Sequence, residues 1–225
     1  MYGQSYTYQI QQADSLFERG DFTGSLKLYE QILSQSGKAS PGILLKMAYI
    51  YEGLEDYTQA LYYLSVYYSF RPSQQAIDQM KNIASRHNLT GYEFKDADFF
   101  MVLYERYYVY ITSALMLICT ILLASMIGRK LRRQYVPSRH MIGLILFLII
   151  VFAFLNITFR YKSVKAIIAH DNVYLMSAPS AGASLISILP KGHRLDINNQ
   201  QDIWLEIVWN EQIAYVRQQN VLMIE

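Results

Sequence analysis

Cysteine pairs, closely spaced histidine pairs and glycine-rich phosphate loops are missing from this sequence. Their absence excludes the common sequence motifs of zinc sites and of nucleotide-binding sites. Among its 225 residues there are one cysteine and four histidines. Cys119 cannot form an intrachain disulfide, and no histidine has the spacing to a cysteine or second histidine that zinc sites use. No Walker loop, dinucleotide-binding loop or Gly-x-Ser-x-Gly elbow occurs. We therefore expect a protein that is not an enzyme and uses no metal ion or other cofactor.

Charge is absent from two long stretches. Tyr107 to Gly128 and Met141 to Phe159 contain no Asp, Glu, Lys or Arg over 22 and 19 positions. Each is close to the ~20 residues that a helix needs to cross a bilayer core. Buried helices of soluble proteins rarely lack a polar face. The pattern predicts a two-helix transmembrane hairpin, and the absence of ionisable groups within it disfavours a channel or transporter.

Positive charge is concentrated between these two runs. Residues 129–140 read RKLRRQYVPSRH and hold five Lys or Arg, more than either outer flank. Because positive loops stay in the cytoplasm, we expect loop 129–140 to be cytoplasmic, with 1–105 and 163–225 periplasmic, in a bacterial inner membrane. The net charge is −3 over residues 1–100, +7 over 101–162 and −2 over 163–225. The basic balance therefore belongs to the anchor, and we expect no nucleic-acid partner.

Export of an N-terminal domain requires a signal peptide. The opening MYGQSYTYQI has neither a charged n-region nor an apolar h-region. Two interpretations stay open: a signal peptide is missing from this sequence, or the topology is inverted and both flanking regions are cytoplasmic. We favour the former.

A repeat with a 35-residue offset lies within the N-terminal region. Apolar residues recur at helical spacing from Tyr6 to His87. Within this pattern Gly20–Leu33 aligns with Leu54–Tyr68: an acidic turn and an aromatic residue precede a small residue and an apolar helix. The small residue is Ser25 in the first copy and Ala60 in the second. Helix–turn–helix solenoids repeat every ~34 residues, so the pattern predicts helical hairpins.

These residues resemble the tetratricopeptide repeat. In the second copy Ala48 and Ala60 occupy the small positions where paired helices approach, Tyr51 the aromatic position, and Pro72 closes the repeat. The segment 73–86 predicts a capping helix. The resemblance implies a groove, formed by the first helix of each repeat, that binds peptides or proteins. By alignment the groove candidates are Ile10, Asp14, Leu45, Tyr49 and Glu52. Taken singly, each is better explained as an ordinary packing or solvated residue.

Aromatic residues crowd the entry to the first apolar run. They are Phe99, Phe100, Tyr104, Tyr107, Tyr108 and Tyr110. Amphipathic rings prefer the level of the lipid headgroups. We therefore expect an interfacial segment over residues 96–106 rather than an aromatic cage for a ligand.

Short β-like runs separated by turn residues follow the second apolar run. They lie at 164–168, 172–175, 185–189, 194–197, 204–208, 213–216 and 221–224. The segment Ser177–Gly182 has the composition of a turn, and Asn210-Glu211 predicts a hairpin between two alternating runs. The pattern predicts five or six strands in a small all-β barrel.

The order of these pieces resembles bacterial SH3-like domains. The matching residues are Ser177, Pro179, Ser180, Leu189, Lys191, Gly192, Trp204, Ile207, Tyr215 and Val216. Ala214 departs from the pattern, in which a glycine often precedes the aromatic residue. The resemblance implies that Trp204 either packs in the core, which we favour, or belongs to a ligand surface with Trp209 and Tyr215. We expect Trp209 to be exposed.

The regions follow one another in a fixed order. They are helical repeats (1–95), an aromatic interfacial segment (96–106), a first membrane helix (107–128), a basic loop (129–140), a second membrane helix (141–159) and the β domain (163–225). This order resembles the BatE proteins of the Bacteroidetes aerotolerance operon, a family associated with von Willebrand A domain membrane proteins and a MoxR-type ATPase.

The resemblance implies a non-enzymatic scaffold or adaptor in the cell envelope, linked to oxidative stress or aerotolerance. Its partners would be the lipid bilayer and membrane proteins with von Willebrand A domains. The alternative is a cell-wall-sensing module whose SH3-like domain binds peptidoglycan peptides.

Overall fold

Five short helices, a long helix and a further apolar helix precede a group of β-strands. The computed structural model describes residues 2–37, 40–94, 96–132, 142–152 and 164–224. The helices are α1 (Tyr2–Glu18), α2 (Phe22–Ser36), α3 (Pro41–Gly53), α4 (Tyr57–Phe70), α5 (Gln74–Arg86), α6 (Asp96–Leu131) and α7 (Ile142–Phe152). The strands are β1 (Val164–Ile168), β2 (Val173–Met176), β3 (Leu185–Leu189), β4 (Arg194–Gln201), β5 (Trp204–Trp209), β6 (Gln212–Arg217) and β7 (Val221–Ile224). One compact unit contains Met1–Phe94 and Ser163–Glu225, and another contains Lys95–Lys162.

The 35-residue offset appears directly in the helix caps. Asp21 and Asp56 are the N-caps of α2 and α4, and each carboxylate accepts a hydrogen bond from a backbone N–H three residues on. The small residues Ser25 and Ala60 are fully buried between paired helices. A larger side chain at either position would hold those helices apart. The predicted helical hairpins are present.

The capping helix is α5, and Ser73 caps its N-terminus. Its buried face is an apolar stripe at helical spacing. The stripe contains Ala76, Ile77, Met80, Ile83 and Ala84. The hydroxyl of Ser65 in α4 lies 3.3 Å from the sulfur of Met80, so α5 packs on the second hairpin as the pattern predicts.

The strands form one antiparallel sheet in the order β3-β2-β6-β5-β4-β1-β7. Seven strands are described rather than the predicted five or six. β3 and β7 each have one hydrogen-bonded neighbour, so the sheet is open and does not close into the predicted barrel. The predicted hairpin joins β5 to β6: Asn210 and Glu211 have φ values of 49° and 64°, as the primed two-residue turns require.

One described helix has the length and apolar composition that the membrane prediction requires. α6 includes an apolar stretch, Arg106–Arg129, long enough to span a bilayer. The predicted interfacial segment 96–106 forms the first turns of this same helix, and Arg129 lies in its last turn. Helix α7 contains eleven residues of the second apolar run. The rest of that run, and most of the basic loop, lie outside the described residues. In the described part of the chain, therefore, one helix rather than two has the length of a span.

Candidate functional site

Two helices bring charged and aromatic side chains together on what we call the α1–α3 face. It consists of Asp14 and Phe17 from α1 with Leu45, Lys46 and Tyr49 from α3. The ammonium of Lys46 lies 2.8 Å from the Asp14 carboxylate and 5.5 Å from the centre of the Phe17 ring. The ring of Tyr49 contacts that of Phe17 edge-on at 5.8 Å. These contacts join the first helices of the two hairpins.

Exposed aromatic surface is the main feature of this face. Phe17, Phe22 and Tyr49 make three mutual edge-to-face contacts, with centroids 5.4–5.8 Å apart; we call these residues the aromatic cluster. Tyr49 is 59 % exposed, and Leu45 beside it is 45 % exposed. Rings that hold one another in place lose little further freedom when a partner covers them, and exposed apolar clusters mark interaction sites.

Two acidic residues near the cluster, Asp14 and Glu52, are already paired. Asp14 accepts a hydrogen bond of 2.5 Å from the Tyr29 hydroxyl in addition to its ion pair with Lys46. Burial, and this donation to Asp14, raise the pKa of Tyr29. Glu52 pairs with Arg86 at 2.7 Å and accepts a hydrogen bond of the same length from Gln79. The face is therefore apolar at its centre, with neutralised charges beside it.

The predicted groove residues separate into two groups. Leu45 and Tyr49 are exposed. Ile10 instead packs against the core of the first hairpin, and Asp14 and Glu52 hold helices together as described above. For these three residues an ordinary packing or pairing role is favoured.

Phe17 and Phe22 were not among the groove residues predicted from the sequence. Phe17 stands 35 residues before Glu52, so the alignment that selected Glu52 also marks Phe17 as a groove position. Phe22 is the first residue of α2 and the aromatic residue that follows the acidic turn of the repeat. Nothing in the sequence pattern distinguishes it from a core residue.

A connector between α5 and α6 binds the helical hairpins to the sheet. We define the connector as residues 88–94. The backbone N–H of Thr90 donates to Nδ1 of His193 at 3.1 Å, and the Thr90 hydroxyl oxygen lies 2.8 Å from the same nitrogen. The N–H of Arg194 donates to the carbonyl of Thr90 at 3.1 Å, and its Nε donates to the carbonyl of Gly91 at 2.6 Å. Nothing in the sequence pattern predicts this contact.

Aromatic rings complete the junction. The guanidinium of Arg194 lies over the rings of Tyr92 and Phe94, with its carbon 4.9 and 4.3 Å from their centroids. Burial raises the pKa of Tyr92, and the Arg194 charge opposes that shift. The Phe94 ring also contacts Tyr68 of α4 edge-on. The arginine is buried in the junction, so it serves there as a structural cation.

A groove of about 230 Å³ lies on the sheet. It is lined by Tyr174, Met176, Ala181, Trp204, Arg217 and the short 3₁₀ turn Gln218–Asn220 that precedes β7, of which Gln219 and Asn220 contribute. Trp204 is 8 % exposed. It alternates along β5 with Leu205 and Ile207, which are both core residues, so Trp204 faces the opposite side of the sheet from them. Trp204 is thus buried on the face of the sheet opposite the core residues Leu205 and Ile207, and it lines the groove.

The other two residues of the predicted ligand surface lie elsewhere. Trp209 packs against the sheet core, and its ring meets the His193 ring edge-on at 6.1 Å. The expectation that Trp209 is exposed is wrong: the alternation of β5 puts it on the face of Leu205 and Ile207. Tyr215 pairs with Glu206, two cross-strand pairs along from the Trp204–Arg217 pair, and its hydroxyl donates to Glu206 at 3.2 Å.

Comparison with known proteins gives no assignment. No protein-family model matches this sequence, and no curated protein matches it.

Proposed function

We propose that this chain is a membrane-anchored adaptor that recruits partner proteins through its α1–α3 face. It performs no catalysis in this proposal. The architecture that resembles BatE proteins would place it in a cell-envelope complex, with von Willebrand A domain membrane proteins as the first partners to test. The tetratricopeptide-like repeats and the SH3-like domain are the finer fold assignments that accompany this proposal.

The junction supports a two-pass topology. Residues 2–94 and 164–224 belong to one compact unit and share buried hydrogen bonds, so they lie on the same side of any membrane. A segment that leaves this unit and returns to it must then cross the bilayer an even number of times. Since Arg106–Arg129 is long enough for one crossing, the second apolar run, 141–159, is the natural return. The five positive residues of loop 129–140 favour a cytoplasmic loop and a periplasmic unit.

The observation that carries the adaptor function is the exposed aromatic cluster. Phe17 is partly buried against the helical core, whereas Phe22 and Tyr49 are exposed, 36 % and 59 %. Exposed aromatic anchors of this kind often dominate the free energy of protein association. Lys46 and Arg86 are already paired with Asp14 and Glu52, so neither cation is left uncompensated to attract nucleic acid. A partner with an apolar surface fits this face best.

The test is recovery of partners from solubilised membranes. Full-length wild type and Tyr49→Ala are purified by the same tag, and co-purified membrane proteins are quantified by mass spectrometry. Because loss of an aromatic anchor costs about 2 kcal/mol or more, the true partners should fall at least tenfold in the Tyr49→Ala sample.

Tyr8→Ala is the matched control. Tyr8 is also an exposed tyrosine, 68 % accessible, in α1, so the same side-chain truncation is made outside the aromatic cluster. Equal thermal unfolding of the three proteins would show that the fold is intact. Equal recovery of every partner from all three would contradict the proposal.

A further inference from the structure

The groove on the sheet has an uncompensated positive charge. Among the residues that the structure describes, Arg217 is the one charged residue that lines it. Its guanidinium lies over the Trp204 ring, with the guanidinium carbon 5.2 Å from the ring centroid, and it makes no ion pair within the described residues. The nearest carboxylate along β5, Glu206, is paired across the strands with Tyr215 and accepts its hydroxyl hydrogen bond.

The contact with Trp204 holds the Arg217 guanidinium where it can bind an anion. The guanidinium lies over the indole ring, and a carboxylate can bind the N–H edge of a guanidinium with two parallel hydrogen bonds. Trp204 and Arg217 are direct cross-strand partners, so the pairing of β5 with β6 keeps the two side chains next to each other. Such a site favours a ligand with a carboxylate over a neutral or basic one.

The rim of the groove requires apolar groups on the same ligand. Tyr174, which lines the groove, is 56 % exposed, and its cross-strand partner Ile188 is 48 % exposed. Met176 is paired with Leu185, which is 53 % exposed. Large apolar side chains at these four positions continue from the groove across β2 and β3. A ligand that offered only carboxylates and methyl groups would leave this rim in water.

We propose that the groove binds an acidic, apolar peptide segment of a partner protein. A carboxylate of the segment binds Arg217, and a neighbouring Leu- or Phe-sized side chain covers the exposed Tyr174 and Ile188. Cell-wall stem peptides have carboxylates but few large apolar side chains, so they match Arg217 and not the rim. This site is separate from the α1–α3 face and does not depend on the proposed function.

The experiment measures binding of a labelled peptide to the full-length chain in detergent micelles. The probe is a fluorescein-labelled hexapeptide in which Glu and Leu alternate, and the comparison probe has Gln at every Glu position. Wild type should bind the Glu peptide at least tenfold more tightly than the Gln peptide. Arg217→Gln should remove that preference, and Arg217→Lys should restore it only in part because an ammonium cannot form the bidentate pair.

Three further variants distinguish the groove from the rest of the protein surface. Arg71→Gln removes an exposed arginine of the helical region and should bind the Glu peptide as wild type does. Tyr174→Ala, at an exposed position that a fold should tolerate, should weaken binding several-fold through the rim. Tyr49→Ala should have no effect, because it alters the α1–α3 face alone. Undiminished binding by a folded Arg217→Gln protein would overturn the proposal, as would Arg217-dependent binding of a soluble muropeptide with none of the acidic peptide.

Discussion

The hydroxyl of Tyr92 donates a hydrogen bond of 2.8 Å to the carbonyl oxygen of Gly192, a residue 100 positions further along the chain. Both atoms are buried, and the apolar segment of the chain lies between them in sequence. Because a buried carbonyl is costly to leave unpaired, this bond helps to fix the connector to the sheet. The helical hairpins are too few for an independent solenoid, and the sheet supplies part of the support that further repeats would give.

The first prediction concerns the close approach of the connector to the sheet. Gly91 has a φ of +88°, and a Cβ added there would lie 2.1 Å from the carbonyl oxygen of Arg194. Gly91→Ala should therefore destabilise the protein by more than about 1 kcal/mol. In a chain of this size each kcal/mol lowers the unfolding midpoint by about 2–4 °C. The measurement is thermal unfolding of the full-length protein in detergent.

Gly182→Ala is the control for that experiment. A Cβ at Gly182 would meet only the Ser180 hydroxyl oxygen, at 3.9 Å, so its midpoint should equal that of wild type. If both variants melt together with wild type, the connector does not approach the sheet as described.

Local patterns predicted the elements, whereas long-range contacts were not predictable. Asp21 and Asp56 each cap a helix by accepting a hydrogen bond from a backbone N–H three residues on. Because this interaction is local, the residues that form it recur at a fixed spacing that the sequence shows. Thr90 and His193 are 103 residues apart, and neither periodicity nor composition relates them. The open sheet was also missed, because closure depends on pairing between strands and not on the strands themselves. Trp209 was predictable: the same alternation that marks β5 as a strand assigns it to the core face.

The second prediction is a pH dependence of the junction. Burial lowers the pKa of His193 below its ordinary value of 6.5, and Nδ1 must be unprotonated to accept the hydrogen bond from the Thr90 N–H. A group whose pKa is lowered on folding contributes stability above its unfolded pKa and loses it as the pH falls. The contribution of His193 should therefore be complete above about pH 7.5 and decline below about 6.5.

His193→Asn separates this effect from the other histidines. The Asn side-chain oxygen can accept from Thr90 in place of Nδ1, and it does not titrate. Unfolding midpoints of both proteins are measured at pH 7.5 and pH 5. Wild type should lose more stability than His193→Asn on acidification; equal losses would mean that His193 does not report on the junction.

The third prediction concerns the packing of the second hairpin. Ala60 is fully buried where α3 and α4 approach, so Ala60→Leu should cost about 1–3 kcal/mol by overpacking. Ser69→Leu introduces the same side chain at an exposed position of α4 and should have little effect. Thermal unfolding of the full-length proteins compares them. A wild-type midpoint for Ala60→Leu would show that the repeat register is wrong.

The last prediction tests membrane topology with single cysteines in a Cys119→Ser background. Ser34 and Ser180 are exposed residues of the hairpins and of the β2–β3 turn, and the junction requires both on one side of the membrane. In intact spheroplasts a membrane-impermeant thiol reagent should therefore label Ser34→Cys and Ser180→Cys equally, while Ser138→Cys in the basic loop should resist it. The reverse pattern would invert the topology and place the packed unit in the cytoplasm, yet keep the two-pass arrangement. Labelling of only one of Ser34→Cys and Ser180→Cys would contradict the junction itself, because buried hydrogen bonds cannot form between segments that a bilayer separates.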